Sequence, residues 1–237
     1  MSAAPKTSPS PPTLRRSRRT AAPASTLPAV PPTTRPLPRF IAEPPHELEP
    51  YGRWADRLAE QFTAACAAIE GDLEPPDPAS IAWHPERTYA GRIYVPATAP
   101  AGEGLEFFGH VSLVREESGD PGDFKAAADY TDEIAAQNPG WKIDLNDDVI
   151  GHWRGPGEAA GEITLVWGEP LAPGGVAVTA ELGDETVDQF LLGQGERFTL
   201  VALDAITGLG VDDLFLEVKL WSRRGQPIAT ESLYEAG

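Results

Sequence analysis

The sequence predicts a mainly β fold: a β-sandwich or a curved, partly closed antiparallel sheet with two flanking helices and a disordered N-terminal tail. Three observations carry this. Glu162 to Leu203 alternates apolar and polar residues with period two, with Ile163, Leu165 and Trp167, then Val176, Val178, Ala180 and Leu182, then Phe198, Leu200 and Ala202 on successive buried faces. Gly, Pro and Asp interrupt that alternation at short intervals, as hairpin connections require. Helical periodicity is confined to two short stretches. An α+β cone, a half-barrel cupping a helix, is the alternative architecture.

Residues 1–40 read as a disordered tail, rich in Pro, Ser, Thr and Arg with hardly an aromatic to bury. They hold seven basic residues and no acid, whereas the remaining chain sets 12 basic residues against 36 acidic ones. The formal net charge of −17 therefore hides a basic arm on a strongly acidic body. Such a body repels phosphate backbones, so it is not expected to bind nucleic acid, although the arm could. Arg15, Arg16, Arg18 and Arg19 are the expected partner-binding residues, through phosphate, an anionic surface or an acidic protein patch.

Residues 41–80 form a second unit. Pro50–Glu70 is the clearest helix, with Trp54, Leu58, Phe62, Ala65 or Cys66, and Ile69 on one stripe and Gly71 just past its end. Cys66 lies on that stripe and reads as a small buried hydrophobe. As the only cysteine it excludes an intramolecular disulfide. The prolines of Asp72–Ser80 form a linker.

Residues 81–237 are the β-rich domain. Ile81–Trp83, Arg92–Thr98 and Leu105–Glu116 open it as strands, with Gly109 marking a bulge or a close backbone approach. A second helix is expected at about 123–137, from Asp123 as a cap and a stripe of Phe124, Ala127, Ala128, Thr131 and Ile134 or Ala135. Trp141–Leu145 and Val149–Arg154 then read as strands around an Asn146–Asp148 turn. Leu214–Trp221 and Ile228–Tyr234 close the chain as a hairpin. Leu214, Leu216, Val218 and Leu220 point one way, and Phe215 and Trp221 point the other. The first helix is the expected cover of that second face.

The chemistry is sparse. Asp144, Asn146 and Asp148 imitate the start of a calcium loop, which then fails because Val149 stands where Gly is needed and Gly155 where Glu is needed. His46, His84, His110 and His152 show no metal-ligand spacing. Gly193-Gln194-Gly195 and Gly208-Leu209-Gly210 lack the continuation of a phosphate loop and read as turns. No catalytic residue, metal ligand or cofactor is assigned. The expected function is a non-catalytic binding or assembly module whose basic arm recruits a protein partner, with an apolar sheet face as a second surface. The alternative is a hydrolase or isomerase with a site in the concave sheet face, drawing on His110, His152, Asp144, Glu106 or Trp153. No segment approaches the roughly 18 apolar residues of a membrane span, and no secretory signal follows the arginines, so a cytoplasmic protein is expected.

Overall fold

The alternating stretches form strands that pair into antiparallel sheets, with one long helix beside them. The computed structural model describes residues 19–20, 37–71, 73–117, 119–193, 197–209 and 213–235. Helix α1 spans Gly52–Ala67. The first sheet contains β2 (Ala82–Trp83), β3 (Arg87–Tyr89), β4 (Arg92–Gly102), β5 (Leu105–Arg115) and β6 (Pro121–Thr131). A three-stranded sheet orders β11 (Phe198–Thr207), β8 (Ala160–Pro170) and β7 (Ile143–Arg154). A four-stranded sheet orders β10 (Glu185–Leu191), β9 (Gly175–Leu182), β12 (Leu216–Ser222) and β13 (Pro227–Ser232). Two short strands, β1 (Arg19–Thr20) and β14 (Tyr234–Glu235), run parallel.

Two cores result. In the first, α1 lays Leu58, Phe62 and Cys66 onto Ile93, Val95, Ala97, Phe107, Val111 and Leu113 of β4 and β5. Fully burying side chains of this size stabilises by roughly 1.5–3 kcal/mol each. In the second core the other two sheets face one another through Leu165, Trp167, Val178, Ala180, Leu200, Val218 and Leu220. Tyr94 and Phe108, on the face of the first sheet turned away from α1, pack against this second core and join the two halves.

Several expectations change. The second helix at about 123–137 is instead β6, followed by a single 3-10 turn at Ala135–Gln137. Phe124, Ala126, Ala128 and Tyr130 are half-buried under α1, alternating with exposed Asp123, Lys125, Ala127 and Asp129. The run of alanines satisfies both periods, and pairing along β5 (Val111 opposite Ala126, Phe107 opposite Tyr130) decides for the strand. Asn146–Asp148 is no turn either, because β7 runs unbroken through it beside β8. Helix α1 covers the first sheet rather than the second face of β12. That face is a polar ladder: Trp221 Nε1 donates to Thr179 Oγ1 at 2.7 Å, and Lys219 bridges Glu181 and Glu217. Gly109 is a close approach, since a Cβ there would strike the carbonyl of Ala127.

The device that shapes the joint is a proline. On one side β4 pairs with β5; on the other it pairs first with β3 and then with β2. Pro96 has no N–H to offer this second side and lies between those two partners. Three residues, His84, Pro85 and Glu86, therefore span the two positions Val95 and Pro96 and swing away from the sheet. The Pro96 carbonyl still accepts His84 N–H at 2.9 Å.

Candidate functional site

The segment Trp83-His84-Pro85-Glu86-Arg87 is pushed by that bulge into the seam between the first sheet and the sandwich. Arg87 anchors it. Its Nη2 donates to Asp188 Oδ1 of β10 at 2.9 Å, and its Nη1 to the Thr199 carbonyl of β11 at 3.1 Å. Both side chains are buried, at 3% and 2% exposure. Asp188 also accepts from Val201 N–H at 2.8 Å. Burial pushes its carboxyl pKa up, against the opposing pull of Arg87 and that N–H.

His84 is 1% exposed and lies against the backbone of Gly168 and Phe198, yet neither ring nitrogen meets hydrogen-bond geometry. Burial, with the Arg197 charge nearby, pushes its pKa down to about 3 and keeps the ring neutral. Glu86 is likewise buried, with Oε1 accepting from His46 N–H and Oε2 left without a partner. Burial and neighbouring Glu47 push its pKa up.

A strap of chain seals this pair. Phe40 N–H donates to the Val187 carbonyl at 2.6 Å and Glu43 N–H to the Thr88 carbonyl at 2.8 Å, so the strap crosses from β10 to β3. It continues as Glu47-Leu48-Glu49-Pro50, which with Trp54 closes a gap around His84 and Glu86 too small to admit water. On the outer side of the strap lies an open groove of about 330 Å³. Trp83, Pro85 and Phe190 are among its apolar lining, and Leu48 and Leu191 stand beside them at 57% and 73% exposure. Glu49, Glu169 and Arg197 supply the charges. Arg197 is held in place, donating through Nε to Glu169 at 2.6 Å and through Nη1 to the Trp83 carbonyl at 3.2 Å.

The residues singled out in the sequence lie elsewhere. Arg15, Arg16 and Arg18 fall outside the described residues, and Arg19 is described only as backbone beside Tyr234. His110 meets Asp148, a carboxylate not grouped with it beforehand, at 3.3 Å, and its ring lies 5.5 Å from that of Tyr94. His152 is exposed farther along β7, and Trp153 is half-buried beside it. Neither cavity at the seam is lined by any of these residues. Among the described residues no group of three or more His, Cys, Asp or Glu is disposed to hold a metal ion. No described helix is long and apolar enough to cross a membrane. The groove escaped sequence reasoning because its walls come from positions as far apart as Leu48 and Arg197. The one local sign was a Pro-containing cluster of His, Glu and Arg directly after a strand.

The fold and groove define a mainly β, helix-flanked protein with a shallow apolar cleft at an intersheet seam. No family model matches the chain, and no curated protein or solved structure matches it significantly.

Proposed function

We propose that this chain is a non-catalytic binding or assembly module, with an acidic β-rich body presenting the seam groove and a basic N-terminal arm that recruits a protein partner. The observation that carries the reading is the pairing of exposed Leu48 and Leu191 over an aromatic floor, while His84 and Glu86 are sealed behind the strap. Large exposed leucines grouped around a cleft suit a docking surface. A buried neutral imidazole and a carboxyl with no water access suit structure better than acid–base chemistry. The charge split, with seven basic residues and no acid in 1–40 against an acidic remainder, supports separate roles for arm and body.

The test is affinity capture from the native cell with three proteins: the full chain, an arm variant (Arg15, Arg16, Arg18 and Arg19 to Ala) and a Leu48→Asp/Leu191→Asp groove variant. A defined protein retained by the full chain and lost by at least one folded variant is the expected result. Identical capture by all three would overturn the proposal.

A further inference from the structure

We infer that the seam groove takes an extended, proline-rich peptide of a partner protein carrying an arginine; this rests on the binding-module reading above and names the ligand of its groove. Half-buried Trp83, with the largely buried Phe190 and Pro85 beside it, lines the groove, and polyproline II segments dock in aromatic-lined grooves of this kind. Such a segment enters already extended, so it loses little conformational entropy on binding and suits a shallow cleft. Leu48 and Leu191 belong to the same lining and give an apolar side chain of the peptide two contacts.

Charge selects the arginine. Glu169 is occupied by Arg197, which leaves exposed Glu49 as the other carboxylate of the groove lining. The body around it carries a large excess of acid, so an acidic peptide is repelled before it docks. The groove is open to solvent and about 330 Å³, at the small end of ligand sites. Arg197 already donates to the Trp83 carbonyl and to Glu169, so recognition comes from apolar contact and one ion pair.

The experiment is fluorescence anisotropy with the full-length protein and a labelled Pro-Pro-Leu-Pro-Pro-Arg peptide, beside the same peptide ending in Glu. Saturable binding of the Arg peptide is expected, at least about fivefold tighter than the Glu peptide, as one exposed ion pair plus a repulsion allows. Leu191→Asp, at a position 73% exposed, should weaken binding about tenfold or more, and Glu49→Arg should remove the preference for the Arg peptide. Trp83→Ala should also abolish binding, but Trp83 packs edge-on to Phe62 in the helix core, so its melting curve is taken first. No binding up to about 1 mM, equal binding of both peptides, or binding untouched by Leu191→Asp would each overturn the inference. Tighter peptide binding by a chain starting at Leu37 would assign the groove to the protein's own proline-rich arm and overturn the partner-protein source. Capture from cells that depends on the arm or on Leu48 and Leu191, with no affinity for the Arg peptide, would sink this inference while leaving the module reading intact.

Discussion

Breaking the Arg87–Asp188 pair is expected to be among the most damaging single changes open to this chain. The two groups meet at 2.8 Å with almost no exposure. At that distance the attraction is about 6 kcal/mol for an effective dielectric of 20, and the cost of desolvating two ions offsets much of it. Removing one partner recovers none of the burial cost of the other. Arg87→Met leaves a buried carboxylate with backbone N–H groups as its remaining donors. Asp188→Leu leaves a guanidinium facing only carbonyls and also orphans Val201 N–H. Each should therefore destabilise by about 3–5 kcal/mol, lowering Tm by roughly 6–20 °C for a chain of this length. Urea unfolding followed by tryptophan fluorescence measures it. The double variant Arg87→Met/Asp188→Leu should be more stable than either single one, because no ion is left unpaired. Single variants within about 1 kcal/mol of the parent, or a double variant that costs their sum, would refute the reasoning.

Three further outcomes follow from the same seam. His84 is neutral when folded and protonates below about 6.5 when unfolded, so the unfolded state binds the extra proton between that value and about 3 and stability falls with acidification. Relative to His84→Leu, the parent should lose about 1.6 kcal/mol between pH 6.5 and pH 5 in urea titrations. Glu86 behaves oppositely: its raised pKa means that the folded state holds the proton more tightly, so its charge weakens the fold at pH 7. Glu86→Gln should be neutral to stabilising at pH 7, with the advantage shrinking as pH falls through the raised value. Cys66 is 2% exposed and burial pushes its thiol up to about 12, so a disulfide-exchange reagent should react about a thousandfold more slowly with native than with urea-unfolded protein.

The strands of the C-terminal half were legible because their apolar residues alternate, as in Leu216, Val218 and Leu220 of β12, although β8 and β11 turn out buried on both faces. Helix α1 was legible from its Leu58, Phe62 and Cys66 stripe, although it starts at Gly52 after an uncapped Tyr51 rather than at Pro50. Phe124–Tyr130 was misread because alanine fits either period and only the neighbouring β5 chooses. Asn146–Asp148 was misread because these turn-forming residues are each paired with β8, opposite Trp167, Val166 and Leu165. The seam was invisible for a different reason. Arg87 finds Asp188 101 positions later, and Arg197 finds the Trp83 carbonyl 114 positions earlier. No local pattern encodes such pairings, and even the Pro96 that opens the bulge looks in isolation like a strand breaker.

The most direct test of a docking surface at the seam is photo-crosslinking in the native cell, with a photoreactive residue placed at Leu191 and, as control, at exposed Arg224 on the β12–β13 turn. The account predicts one discrete protein adduct at Leu191 that is absent at Arg224 and is lost when Leu48→Asp is added. No adduct at Leu191, or the same adducts at both positions, would contradict it.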